Sequence, residues 1–446
     1  MAVVALAPPE WIAPAPLDER FYNAILNIGA MQLPAYREDP GVRYTAGSFA
    51  AAVFLPSVAG GISFPAIPRL ELVLGLSSAV VGLILSTADG VRLLSNAPIG
   101  SLLDRVGTRQ PLIAGFLFLT VAPFGYALGM DPGPVPLEPA VVFVFSAAVA
   151  GLGSALVLVG GYAMITDITT PENRGRWLGY MLGSYGLGFP VGLVVGGVVG
   201  DTYGIREAFL LGGVVSLVSM PIVLALVPDS SPAVDRDGGL RHIPALVRAD
   251  HRLAVLGAVK GILSFLSRAF LTTVVVFAAE LGLTFGILGN MGITGVMLSL
   301  VTLAAAGSTL VAGRYSDSFD DRIHLVLPSL GVMAVGFVTV AMVPTLVGIV
   351  AGGVVAAVGG GAVGPVLKAY LGDISPPGDV AKLGGAYNVF GDLGSILGPM
   401  IALPAASRVG FDAVYFGCAG LGAVAAVLVV KTLLSASPTP GLTVGD

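Results

Sequence analysis

Twelve long apolar runs constrain this chain more than any other feature of its sequence. Each is long enough to cross a bilayer as an α-helix, and none shows the alternation of a membrane β-strand. Helices are favoured because a spanning helix satisfies its backbone hydrogen bonds internally. The predicted spans are 44–67, 77–100, 110–129, 138–166, 174–199, 206–228, 252–280, 286–312, 324–343, 345–371, 381–405 and 411–434. We predict an all-α membrane protein with twelve transmembrane helices.

The composition excludes the common water-soluble classes. Of 446 residues, 55% are hydrophobic and only 11% are charged, whereas soluble domains carry about 25% charged residues. A chain with so few charges is not a cytosolic enzyme, a disordered protein or a nucleic-acid binder. The single cysteine, Cys418, rules out an intramolecular disulfide. A polytopic membrane protein remains.

The basic residues of the loops predict the orientation. With both termini inside, fifteen lie on the cytoplasmic side: Arg20, Arg37, Arg43, Arg105, Arg109, Arg174, Arg176, Arg236, Arg241, Arg248, Arg252, Arg314, Arg322, Lys382 and Lys431. Only Arg69, Arg206 and Arg408 lie outside. Because cytoplasmic loops are enriched in Lys and Arg, we expect a multi-pass protein of the cell membrane with both termini cytoplasmic.

The chain divides into two similar halves. We predict a cytoplasmic tail at 1–43, a six-helix bundle at 44–228, a charged linker at 229–250, a second bundle at 251–435 and a tail at 436–446. Aligning the halves places Asp167 on Asp373 and Asp104 on Asp317 in corresponding loops. Two parallel six-helix repeats predict a central cavity between the bundles.

The loop after the second span carries a recognisable motif. Residues 100–109 read Gly-Ser-Leu-Leu-Asp-Arg-Val-Gly-Thr-Arg, and a degenerate copy begins at Gly313 and includes Asp317. The motif resembles the Gly-x-x-x-Asp-Arg-x-Gly-x-Arg signature of the major facilitator superfamily, and the resemblance extends over about 44–435. It implies that Gly100, Asp104, Arg105, Gly107 and Arg109 form a gate that latches the halves at the cytoplasmic face. The alternative is a basic loop that only sets topology.

Glycine and proline mark the fifth and eleventh spans. Gly188, Pro190 and Gly192 occupy the helix on which antiporters of the superfamily place a Gly-Pro motif, while Gly398 and Pro399 lie on the eleventh span. Phe189 separates the first glycine from its proline. We therefore favour close helix packing through small residues, with antiport as the alternative.

Charged residues inside the spans are the candidate coupling groups. Asp89 and Arg92 are three residues apart on the second span, and Asp392 lies on a polar stripe of the eleventh. The resemblance implies that these helices adjoin, so Arg92 can pair with Asp392 or with Asp89. The pairs are interpreted as static packing contacts, as a carboxylate that exchanges a proton, or as substrate contacts.

The seventh span carries a basic stripe of Lys260, Ser264 and Arg268. The resemblance places this helix on the central cavity, where the stripe would favour an anionic group. Alternatively, Lys260 only extends to the membrane surface.

These features predict a secondary transporter and not an enzyme. We expect alternating access and proton-coupled antiport, exporting a small amphipathic organic compound, with membrane lipid and protons as further partners. The sequence predicts a monomer without a metal, cofactor or nucleic-acid partner. The alternatives are transport of an organic anion on the basic stripe, and, from other classes, an intramembrane enzyme or a transport-dead sensor.

Overall fold

A computed structural model of the protein describes residues 40–131, 137–227, 251–316, 322–375 and 380–434. Twelve helices in these ranges are long and apolar enough to cross a membrane, so the predicted number is confirmed. The predicted tails, the linker and Asp317 fall wholly or largely outside the described ranges.

The spanning helices follow one another with short connections. They are α1 (Pro40–Ser63), α2 (Ser78–Val106), α3 (Arg109–Met130), α4 (Pro139–Ile168), α5 (Pro171–Thr202), α6 (Ile205–Leu217 continued by Ser219–Leu226), α7 (His251–Glu280), α8 (Asn290–Ser316), α9 (Val326–Met342), α10 (Leu346–Ile374), α11 (Val380–Val409) and α12 (Phe411–Val429). A short helix at Leu70–Leu74 precedes α2, a 3-10 turn at Arg322–Leu325 precedes α9, and a π turn at Val430–Leu434 follows α12.

Prolines explain where two helices depart from the apolar runs. The run predicted to end at 67 stops being helical at Ser63, although Phe64 and Ile67 stay buried. Each of these two residues precedes a proline, and the residue before a proline is disfavoured in the helical conformation. The helix α6 is interrupted at Val218. The interruption arises because the ring of Pro221 clashes with the backbone carbonyl four residues earlier.

The halves α1–α6 and α7–α12 meet mainly through two helix pairs, α2 with α11 and α5 with α8. Small residues allow the approach: a Cβ built on Gly82 would lie 2.7 Å from the carbonyl oxygen of Pro399, and one on Gly197 would lie 2.6 Å from that of Met291. These contacts position the side chains described next.

Candidate transport site between the two halves

Four charged side chains form a cluster across the interface between the halves. Arg268 on α7 places Nη2 at 2.9 Å from Oδ2 and 3.1 Å from Oδ1 of Asp89 on α2. Arg92 lies one turn along α2, with Nη2 at 3.0 Å from Asp89 Oδ1 and 3.3 Å from Asp392 Oδ1 on α11. Two ion pairs, Asp89–Arg268 and Arg92–Asp392, therefore connect the halves inside the membrane.

The two carboxylates of this cluster have different surroundings. The side chain of Asp89 is 6% exposed and contacts two guanidinium groups, whereas that of Asp392 is 24% exposed and pairs with one. A buried charge that loses its partners is strongly destabilising, so Asp89 depends on both arginines. Asp392 is therefore the more accessible of the two carboxylates.

The basic stripe of α7 is divided between two environments. Arg268 is bound to Asp89 across the interface. Lys260 places Nζ 5.9 Å from the centre of the Tyr387 ring on α11, a cation–π distance. Gly391 faces the stem of Lys260 and the hydroxyl of Ser264, since a Cβ built there would lie 2.7 Å from Cε and 3.3 Å from Oγ. The predicted stripe thus packs largely against α11 and α2.

The motif residues lie at the end of the bundle where α2 joins α3 and α4 joins α5, which we call the signature end. Gly107 ends α2 with a φ of 77°, which favours glycine, and its N–H donates to the Leu103 carbonyl at 2.9 Å. Arg105 is exposed and Asp104 is half-buried. Asp104 makes no ion pair with any described residue, and a Cβ on Gly100 would have no described atom within 4 Å. Gly313 approaches Pro365 of α10, with 3.8 Å from a built Cβ to the proline Cβ.

At the opposite end, a carboxylate joins the halves. Asp201, at the last turn of α5, accepts hydrogen bonds from the backbone N–H groups of Met291 and Gly292 at 2.9 and 2.5 Å. These groups belong to the first turn of α8, whose N–H donors have no partner within the helix. The positive end of the helix dipole also favours the negative charge there.

A second contact reinforces this end. Arg69, in the connection between α1 and α2, donates to the side-chain oxygen of Asn290. Asn290 Nδ2 donates in turn to the carbonyls of Ala278 and Leu283 at 2.6 and 3.0 Å. Burial lowers the pKa of the Arg69 guanidinium, partly offset by the charge of Asp201, but an arginine stays charged at neutral pH. We call Arg69, Asp201 and Asn290 the closed end.

The predicted packing residues of α5 and α11 lie in close helix contacts. Gly188 and Gly192 face α1, and a Cβ on Gly188 would lie 2.6 Å from the Phe54 carbonyl oxygen. Pro190 is buried between them. Gly398 faces α7, since a Cβ built on it would lie 2.8 Å from the Arg268 Cβ, and the carbonyl of Pro399 faces Gly82 of α2.

Sequence patterns did not single out three of the residues that join the halves. Asp201, Arg69 and Asn290 lie at helix ends or in a loop, where single polar residues are common. The resemblance to the superfamily placed the helix of Arg268 on the central cavity without indicating Asp89 as the partner of Arg268. Two features of the sequence could have indicated these residues. Asp201 lies at the end of a span, and Arg69 is one of only three basic residues expected outside the membrane.

A family model provides the decisive comparison. The model described as Major Facilitator Superfamily matches residues 49–293 and 258–445, which together cover most of the chain. The chain belongs to the major facilitator superfamily. Its function is therefore that of a membrane transporter and not of an enzyme, and the predicted architecture of two six-helix bundles is confirmed.

Individual relatives of this superfamily protein include drug-resistance proteins. It is 24% identical over 354 residues to Multidrug resistance protein 1 of Bacillus subtilis (strain 168), covering 78% of this chain and 86% of that protein. It is 21% identical over 358 residues to the Quinolone resistance protein NorA of Staphylococcus aureus (strain MRSA252), covering 78% and 87%.

Solved structures share the fold. A bacterial homologue of the human lysosomal transporter Spinster, crystallised in an inward-facing and unoccupied conformation, superposes with a TM-score of 0.71 over 91% of this chain and 100% of that chain. The sequence identity is 14%, so this likeness concerns the fold alone.

Proposed function

We propose that this transporter exports a small amphipathic organic compound in exchange for protons, by alternating access between the two halves. The observation that carries the proposal is the Arg92–Asp392 pair, in which an accessible carboxylate on one half binds an arginine on the other. The efflux-type relatives support the direction and class of substrate.

The pair links protonation to conformation. Movement of the halves that separates α2 from α11 removes the arginine from Asp392, and a carboxylate without a partner in a low-dielectric site tends to take up a proton. Asp89 keeps Arg92 as a partner on its own helix. We assign Asp392 as the proton-carrying group and Asp89 as the group that holds Arg92 in place.

The ends of the bundle serve as gates in this proposal. The closed end lies outside, and the signature end lies in the cytoplasm, where Asp104, Arg105 and Arg109 form the latch of the opposite state. The protein acts as a monomer in the cell membrane with both termini inside. Cysteines introduced at Asp131 and Ser230 then react with a membrane-impermeant reagent from opposite sides; labelling of both from outside contradicts this topology.

A second candidate is transport of an organic anion on the basic stripe. Lys260 contacts the Tyr387 ring and lies within electrostatic range of Asp392, but it forms no close ion pair with a described residue, which favours this candidate. The sequestration of Arg268 by Asp89 disfavours it.

Transport into proteoliposomes tests the function directly. A mixed panel of cationic, neutral and anionic organic compounds is offered with and without an imposed proton gradient. We expect accumulation of amphipathic compounds only with the gradient that drives proton exchange. Uptake that ignores the gradient, or is confined to anions, contradicts the proposal.

A further inference from the structure

A cavity of about 180 Å³ lies inside the second half, between α7, α8, α9 and α10. It is separate from the charge cluster. The residues of α10 that line it are all small and share one face of the helix: Gly353, Ala356, Ala357, Gly360 and Gly361. The cavity is partly open, since Ser267 of its lining is exposed.

The walls of the cavity are apolar and partly aromatic. Phe270, Met333 and Phe337 are buried, with exposures of 4%, 3% and 3%, and the two rings meet edge to face with centroids 6.0 Å apart. Aromatic edges and a methionine sulfur make favourable contacts with an added ring. Ser267 and Thr302 contribute hydroxyl groups to the lining. The Thr302 hydroxyl donates a hydrogen bond to the Leu298 carbonyl.

The size of the cavity limits what it can hold. An apolar cavity of about 150 Å³ stays dry and binds benzene, and pockets for whole drug-sized molecules measure about 300–1,000 Å³. This cavity therefore accommodates one aromatic ring and not an entire drug.

The cavity adjoins the proposed transport route. Ser267 is exposed and lines the cavity, and the next residue, Arg268, reaches Asp89 on the other half. Ser267 thus lies next in the chain to a residue that joins the halves, at the exposed side of the cavity.

We propose that this cavity binds an aromatic ring of the transported compound, with the polar remainder directed towards Ser267 and the charge cluster. The assignment rests on the proposed function for the identity of the compound. Occupation of the cavity by a small aromatic molecule requires neither proton coupling nor transport, so the two are tested separately.

Fluorobenzene binding to the purified full-length protein in detergent tests the assignment. Fluorine NMR saturation transfer, with excess benzene as competitor, measures the specific component. In Ala357→Leu the added carbons occupy the cavity, and we expect affinity to fall by about tenfold or more, since a filled site leaves no room for the ring. Ala351→Leu, an equal change at an exposed position of α10, is the matched control and should bind as the wild type does.

A second variant, in which binding should improve, keeps the test interpretable if Ala357→Leu does not fold. Met333→Ala enlarges the cavity and should bind 1-fluoronaphthalene more tightly than the wild type does. Three results would overturn the proposal. The first is equal binding of fluorobenzene by the wild type and Ala357→Leu, and the second is an equal loss of affinity in both leucine variants. The third is an unchanged preference for ring size in Met333→Ala. Displacement of fluorobenzene by added phospholipid would assign the cavity to an acyl chain and also overturn it. Binding that persists without gradient-driven transport would instead refute only the proposed function.

Discussion

The two ends of the interface between the halves use similar groups in different states. At the closed end, Asp201 caps the first turn of α8 on the other half, and Gly197 lies against Met291. At the signature end, Asp104 also stands near a helix end, yet it pairs with no described residue, and Gly100 has open space beside it. A carboxylate at a helix end therefore stabilises contact between the halves only where a helix N-terminus of the other half is within hydrogen-bond reach.

The charge cluster lies between these two ends. Hydrogen bonds and ion pairs between described residues of the halves extend from the closed end to Arg92 and Asp392. Along α2 the cluster follows the contacts of Gly82 and Ser86 with α11, in the direction of the signature end.

The largest expected difference between the two ends is the change in stability caused by glycine substitutions. Gly82→Ala inserts a Cβ 2.7 Å from the Pro399 carbonyl oxygen, and overpacking of this kind costs about 1–3 kcal/mol. Gly100→Ala, on the same helix, meets no described atom within 4 Å and should stabilise by about 0.5–1 kcal/mol through helix propensity. Thermal unfolding in detergent measures both, and equal shifts would contradict the difference between the ends.

Removal of the carboxylate at the closed end should have a smaller effect. Asp201→Ala loses the cap of α8, worth about 1 kcal/mol, so we expect an approximately fivefold shift towards the state open at that end. Spin labels at the exposed positions Tyr203 and Ile287 report the distance between the halves, which should lengthen.

The matched control at this end is Glu207→Gln, which removes a carboxylate from an exposed residue of α6. It should leave the Tyr203–Ile287 distance unchanged. Lengthening in the control but not in Asp201→Ala would refute the role of the cap.

The signature end should respond least and in the opposite direction. Asp104→Asn removes the proposed latch of the state in which the signature end is closed, and surface charge–dipole contacts are worth about 0.3–1 kcal/mol. Labels at Val106 and Val380, both exposed, should show a modestly larger population of long distances. A shift towards short distances would mean that Asp104 does not favour closure of this end.

The sequence predicts the helices well because hydropathy is the main determinant of a membrane span. It is less informative where apolar residues leave the helix, as at Phe64 and Ile67, which are buried in turns next to prolines. There, hydropathy reports burial and not conformation.

The candidate site was predictable where a pattern repeats along a helix. The polar stripes of α2 and α11 brought Arg92 and Asp392 together as a candidate pair, because their helices were expected to adjoin. The Asp89–Arg268 pair depends on the rotation of α7 about its axis, and the Asp201 cap depends on the reach of α8. Neither is encoded in the spacing of residues along one helix.

Gradient-driven transport by Asp392→Asn tests the central claim most directly. In proteoliposomes, with rates normalised to folded protein, the variant should lose accumulation of a transported compound under a proton gradient but keep counterflow exchange. Asp89→Asn is the matched control; it should reduce the yield of folded protein, because two arginines lose their carboxylate, while the remaining protein still accumulates the compound. Continued accumulation by Asp392→Asn, or its failure to insert stably into the membrane, would contradict the assignment of Asp392 as the proton-carrying group.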